Sequence, residues 1–312
     1  MKFFKIRQLK YLRAVFGRPE TLFASKTGGN LKLFKIRNQD EYLEHIAKSS
    51  EYLAEIQRTE KHLTPANGQD RFKVRGYSYT AGREVDFQVG YEHSHGDGSV
   101  NWREHLNCPM TALNNRMRAA IHIFDSEAAA HQSDRIYISE QATPLYRYFA
   151  ARYDTVAGSE YLMNQCPLGT SDYRGIRNEN LANLTFQNGS FERVISLDCF
   201  EHFPGYQLAF RECARILAPR GKMLWSVPFD PAFSNNLMRA RINKNGDIEH
   251  IHKPEYHYNP LTTNGCLCFT HFGWEMLDQV RSAGFSDAYA VMFWSAAFGY
   301  LGGEQLIFIA SK

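Results

Sequence analysis

Residues 190–229 read SFERVISLDCFEHFPGYQLAFRECARILAPRGKMLWSVPF, and this stretch decides the fold. Phe191 to Leu197 is a short apolar strand centred on Val194, Ile195 and Leu197, and Asp198 ends it. Glu201 and His202 follow on a loop closed by Pro204 and Gly205. From Tyr206 to Leu217, apolar residues at Leu208, Ala209, Ala214, Ile216 and Leu217 oppose Arg211, Glu212 and Arg215. That spacing predicts an amphipathic helix, stopped by Pro219 and Gly221. Lys222 to Val227 is a second strand. Strand, helix, strand is a crossover unit and requires two parallel strands in one sheet. Ligands in such sheets sit beyond the carboxyl ends of the strands. Asp198, Glu201 and His202 stand at one such end, and Pro228, Phe229 and Asp230 at the next.

Several function classes are disfavoured by composition. The net charge of +3 over 312 residues argues against a general nucleic-acid binder. No apolar run reaches the ~20 residues that span a bilayer. Charges interrupt Met1 to Arg18 too often for a signal-peptide core, so a cytoplasmic location is expected. That segment carries Lys2, Lys5, Arg7, Lys10, Arg13 and Arg18 among apolar residues at near-helical spacing. It reads either as a helix lying on an anionic membrane surface, peripheral at the inner face, or as an extension packing on this protein or a partner enzyme. None of the six cysteines forms a C-x-x-C pair, and buried thiols are expected.

In chain order, Gly28 to Asn30 marks a break, and Asp40 to Leu63 is a predicted helix. Phe72 to Glu92 alternates apolar and polar residues as paired strands do, with Ala81-Gly82 at the turn. Leu113 to Ala130 is a predicted helix. Strands then follow at 135–139, 155–158 and 175–181, with a helix from Pro144 to Tyr153. After the opening stretch comes an insertion over 230–270, then a helix over 272–283 and two strands at 287–294 and 305–310. The expected architecture is α/β: a seven-stranded, mostly parallel Rossmann-like sheet with a terminal antiparallel hairpin, preceded by a small α+β module. The expected divisions are a helical extension 1–70, a small module 71–132 and the main domain 133–312.

The run Phe191-Glu192-x-Val194-x-Ser196-x-Asp198, Glu201-His202-x-Pro204, Ala209, Glu212, Arg215, Leu217, Pro219, Gly221 and Pro228-Phe229 resembles class I S-adenosylmethionine-dependent methyltransferases. A subset found with bacterial surface-polysaccharide clusters is similar over roughly Phe72 to Lys312. The resemblance implies S-adenosylmethionine as cofactor and O-methylation of a sugar, glycan precursor or other small molecule. It also implies that Glu160 meets the ribose, with Tyr161 beside it. Asn180 and Leu181 would lie against the adenine, and Asp198 on the methionine side. Where the class usually has a glycine-rich turn, this chain has Ser139-Glu140-Gln141-Ala142-Thr143-Pro144-Leu145-Tyr146. Glu140 there would face the cofactor's ammonium, with Gln141 next to it. The small module resembles a zinc knuckle, but the ligand positions are Ser78, Ala81, Cys108 and Thr111, so no metal is expected. The loop histidines His93 and His95 lack further ligands and point the same way.

Acid–base chemistry is expected from His202, His257 and Glu255. His257 is read as a base or acceptor-binding residue, with Glu255 orienting it. The insertion holds Glu249, His250, His252, Glu255 and His257 but no defined metal-ligand set. Trp294-Ser295 and Gly299 to Gly303 read as an aromatic loop able to wall a sugar ring. The missing glycine turn, Asn180 and the degenerate knuckle also admit a second reading, a methyltransferase-shaped binding or scaffolding protein without turnover.

Overall fold

A computed structural model describes residues 31–65, 71–92, 94, 98–259, 261 and 264–312. The basic segment 1–18, the break at 28–30, and His93 and His95 lie outside them.

The opening stretch folds as its periodicity requires. β6 (Phe191–Leu197) leads through a short 3-10 turn at Phe200–His202 into α5 (Tyr206–Ile216) and back along β7 (Leu217–Ser226). β6 and β7 run parallel, with Ile195 opposite Leu224. α5 buries Ala209, Phe210, Cys213, Ala214 and Ile216 against the sheet. One detail differs from expectation: Pro219 and Gly221 do not separate helix from strand. β7 starts directly at Leu217, and its register on β6 slips between Phe191 and Arg193. The extra residues form a bulge, with Arg220 at φ 63°. A Cβ on Gly221 would come within 2.8 Å of the Ala218 carbonyl oxygen.

The main sheet contains β1 (Leu33–Ile36), β4 (Arg135–Ile138), β5 (Thr155–Gly158), β6, β7, β14 (Asp287–Ser295) and β15 (Tyr300–Ser311). Their spatial order is β1-β14-β15-β7-β6-β4-β5. β5, β4, β6 and β7 are parallel, whereas β15, β14 and β1 pair antiparallel. The sheet is therefore mixed, with four parallel strands and the expected antiparallel hairpin extended by β1.

The expected strand at 175–181 is not formed. It survives as a single parallel bridge between Glu160 and Asn178. Its polar side chains bind loops: the Asn178 carboxamide accepts from Leu162 N at 2.8 Å and donates to the Met163 oxygen at 3.2 Å. The seventh strand comes instead from β1, inside the segment expected to be a helical extension. Residues 40–63 form two helices, α1 (Gln39–Lys48) and α2 (Ser50–Leu63), rather than one. Glu60 of α2 accepts from Trp294 Nε1 and from the amides of Gly302 and Gly303 at 2.7–2.9 Å.

Apolar layers cover both faces. One packs α5 and α6 (Glu275–Ser282) on Trp225, Phe308 and Ala290. The other packs α3 (Asn115–Glu127) and α4 (Pro144–Arg152) on Ile138, Ile195 and Ile309. The small module is the hairpin β2 (Arg71–Ser78) and β3 (Arg83–Gly90) with α3 behind it. At the knuckle positions Ser78 Oγ lies 3.3 Å from Cys108 Sγ, and Thr80 and Thr111 hydroxyls are 3.4 Å apart. Hydroxyls thus knit the turns together around one buried thiol.

Candidate active site

The carboxyl ends of β4, β5 and β6 open side by side. Glu140 follows β4 and Glu160 follows β5. Burial pushes the Glu140 carboxyl up to about 7, although the Arg116 charge opposes this. Its Oε1 is buried without a hydrogen-bond partner among the described residues. Glu160 is also raised by burial, against the pull of two loop amides. Gln141 N and Ala142 N both donate to its Oε1 at 2.7 Å, leaving Oε2 for another donor. One carboxylate therefore holds the 140–143 turn in place of a glycine-rich backbone. The turn is packed from inside: a Cβ on Gly158 would meet the Tyr146 ring at 2.5 Å.

Asp198 ends β6 at φ 47°, a left-handed conformation that Asp tolerates better than most residues. Arg103 Nη2 and Ser226 Oγ each donate to its Oδ1 at 2.7 Å, and Arg116 Nε lies 3.3 Å from Oδ2. Burial alone would raise this carboxyl, but the two guanidinium groups outweigh it and hold it well below the carboxylate range. Glu104 bridges the same pair, accepting from Arg116 Nε at 3.1 Å and pairing with the Arg103 guanidinium at 2.5 Å.

On the other side of Asp198 the 3-10 turn carries Glu201 and His202. Strands β11 (Tyr256–His257) and β12 (Cys266–Leu267) of the insertion fold over it, followed by β13 (Thr270–His271). Glu201 is fully buried, and neither carboxylate oxygen has a hydrogen-bond partner among the described residues. His257 Nδ1 stands 3.3 Å and His202 Nε2 3.7 Å from Glu201 Oε1. His202 Nδ1 meets the Leu267 carbonyl oxygen at 2.8 Å. His257 Nε2 and His271 Nε2 lie 2.9 and 3.0 Å from Glu255 Oε1, and Arg239 Nη2 is 3.2 Å from Oε2. Burial works against a charge on His257, yet Cys268, Glu201 and Glu255 push its pKa up to about 11.

Residues 140–225 match the family model described as a methyltransferase domain. The match spans 86 of the 312 residues, from the turn after β4 to the end of β7. No curated protein matches the chain. Among solved structures, it is similar to an S-adenosylmethionine-dependent methyltransferase of Mesorhizobium loti at 14% identity, covering 61% of this chain and 97% of that one with a TM-score of 0.37. It is also similar to the 1,6-didemethyltoxoflavin-N1-methyltransferase of Burkholderia thailandensis, solved with 1,6-didemethyltoxoflavin and S-adenosylhomocysteine: 16% identity, 63% and 77% coverage, TM-score 0.37.

Set against the sequence expectations, Glu140 and Glu160 keep a carboxylate oxygen free. They fit a ligand that brings an ammonium and ribose hydroxyls. The other expected cofactor residues are differently placed. Asp198 is saturated by its arginines and serine. Asn180 spends its amide oxygen on Ala182 N at 2.9 Å, within its own turn. The Leu181 side chain is buried in the core. Gln141 ties down the 175–177 segment, donating to the Gly175 oxygen and accepting from Arg177 N at 3.0 and 2.8 Å. Tyr161 is exposed.

His202, His257 and Glu255 do converge, but His257, flanked by two carboxylates, holds its proton at neutral pH and is no free base. The 294–303 loop is no open wall either: Phe298, Tyr300 and Leu301 are buried against the small module and α2. Sequence reasoning missed Arg103, Glu104 and Arg116. They stand in Asn101-Trp-Arg-Glu and Leu113-Asn-x-Arg, in the small module and far in sequence from Asp198. Glu201 was missed as a partner because its contact with His257 crosses from the turn after β6 to the insertion, and Arg239, Cys268 and His271 because the insertion folds back on Glu255 and His257 without a regular spacing.

Proposed function

We propose that this protein transfers a methyl group from S-adenosylmethionine to a hydroxyl of a sugar, glycan precursor or other small molecule. The carrying observation is the pair of buried acids at adjacent strand ends, Glu140 and Glu160, each with an oxygen left for a ligand. S-adenosylmethionine supplies an electrophilic methyl on a sulfonium. In this reading Glu160 Oε2 accepts from the ribose hydroxyls while its Oε1 keeps the turn in shape. Glu140 faces the cofactor ammonium. Asp198 orients Arg103 and Arg116 toward the carboxylate end, where guanidinium groups suit a planar anion. The acceptor hydroxyl lies against the Glu201–His202–His257 cluster, and the insertion excludes water above it.

Glu160→Gln keeps an acceptor for the two loop amides but loses the carboxylate. S-adenosylhomocysteine binding is expected to weaken at least tenfold, about 1.4 kcal/mol, by calorimetry. Equal affinity would remove the ribose role, and no binding by the unaltered protein would favour the scaffolding reading. Glu140 gives a pH signature. Its folded pKa is raised, so the ligand-free fold holds the proton up to about pH 7, and its stability falls as pH climbs from about 4.5 toward 7. A ligand ammonium needs the ionised form. Affinity for S-adenosylhomocysteine should therefore rise several-fold between pH 6 and 7 and level off above. The Glu140→Gln variant should show a flat profile, and the same slope in both proteins would refute the pairing.

A further inference from the structure

We infer that Glu201, His202 and His257 form a binding site for one divalent transition-metal ion of the zinc class, with a fourth position open toward the acceptor side. One ligand atom from each residue can be chosen so that all lie within 4.8 Å of one another. Around a tetrahedral ion with bonds of roughly 2.0–2.1 Å, neighbouring ligand atoms stand about 3.3–3.5 Å apart. Glu201 Oε1 lies 3.3 Å from His257 Nδ1 and 3.7 Å from His202 Nε2. The two histidine nitrogens lie within 4.8 Å of each other, so metal binding requires the rings to draw together.

The surroundings have the polarity such a site needs. His202 donates from Nδ1–H to the Leu267 carbonyl, which leaves the lone pair of Nε2 facing Glu201. His257 Nε2–H stays on Glu255, and a bound ion would displace the Nδ1 proton that pairs with Glu201 at 3.3 Å in the metal-free protein. Metal-bound histidines are commonly fixed by a carbonyl or carboxylate on the far nitrogen. Glu201 itself is the independent sign of a ligand. A fully buried carboxylate with neither oxygen hydrogen-bonded, its charge met only by histidines at 3.3 and 3.7 Å, is costly, and an ion between it and the two imidazoles would offset that cost.

A second group, Glu255, His257 and Cys268, is also close enough to bind a metal. There the carboxylate is already satisfied: His257 and His271 engage Oε1 and Arg239 engages Oε2. Glu255 is thus the outer partner and Glu201 the ligand. The sequence alone shows no metal-ligand set here because Glu201 and His257 meet only through the fold. If the methyl-transfer reading holds, the open position takes the acceptor oxygen and lowers its pKa. The site itself does not depend on that reading.

The test uses the purified full chain, stripped by a chelator and titrated with Co²⁺ and Zn²⁺ without cofactor. One equivalent of Co²⁺ should bind with visible d–d bands of a four-coordinate nitrogen–oxygen site and no thiolate charge-transfer band. Glu201→Gln and His202→Asn, each checked for folding by circular dichroism, should weaken the metal at least 30-fold. Cys268→Ser should change it less than threefold. The inference is overturned by no stoichiometric binding, by folded Glu201→Gln protein binding as tightly as the unaltered chain, or by a charge-transfer band that Cys268→Ser removes. Since S-adenosylhomocysteine binding is measured separately, failure here leaves the cofactor assignment standing, and the converse also holds.

Discussion

Asp198→Asn is expected to destabilise the protein by about 2–4 kcal/mol and to weaken S-adenosylhomocysteine more than tenfold. The substitution keeps the shape and removes one negative charge. Arg103 and Arg116 then face each other with Glu104 alone between them. Arg103 keeps about a third of its side-chain exposure, which screens part of the cost and holds the figure below that of a fully buried pair. The effect has a defined pH range. Because the native pKa is depressed, the stabilisation is complete above the unfolded value of about 3.9 and is lost as pH falls below it. Urea unfolding should therefore show a constant gap between the two proteins from pH 8 to pH 5, narrowing only below about pH 4. A gap that closes near neutrality would mean that Asp198 is not the partner of these arginines.

Arg118→Ala should cost about 3–5 kcal/mol, the largest single loss among the predicted variants. The Arg118 side chain is fully buried where the small module meets the β14–β15 hairpin. It donates from Nη1 to the Phe298 oxygen at 2.7 Å and from Nη2 to the Gly299 oxygen at 2.8 Å. Its guanidinium carbon lies 3.8 Å from the centroid of the Phe87 ring. Burial lowers its pKa to about 10, yet the group stays cationic at neutral pH. Alanine leaves both carbonyls unsatisfied and opens a cavity beneath Phe87. Arg118→Met fills most of that space and forfeits mainly the hydrogen bonds, so a smaller loss of about 1–3 kcal/mol is expected. Thermal unfolding of the alanine variant should fall by on the order of 10 °C. Equal losses for Ala and Met would assign the effect to the lost hydrogen bonds alone and remove the packing contribution.

The legible parts of this chain were those whose signal is local. Alternation in 191–197 and the helical stripe in 206–217 are readable because each buries one face against a sheet, whatever the sheet contains. The terminal hairpin was legible for the same reason, as Tyr289, Val291 and Phe293 on one strand alternate with Ala288, Ala290 and Met292 toward opposite faces. The strand at 175–181 failed because polar residues there serve loop hydrogen bonds rather than a ladder. β1 is only Leu33–Ile36, too short to predict, and it becomes a strand because β14 offers it an open edge.

Residues 190–229 by themselves determined a parallel crossover and the place of a cleft at its carboxyl end. They also placed Asp198 and the Glu201–His202 pair at the rim, since strand, turn and helix lengths leave those residues nowhere else to stand. What each of them does was decided by tertiary structure alone. Arg103 and Arg116 arrive from the small module and turn Asp198 from a ligand group into an anchor. His257 arrives from the insertion and turns an orphaned Glu201 into one corner of a charged cluster. Coulombic partners and the burial that strengthens them are properties of chain segments far apart in sequence, and no local pattern of residues encodes them.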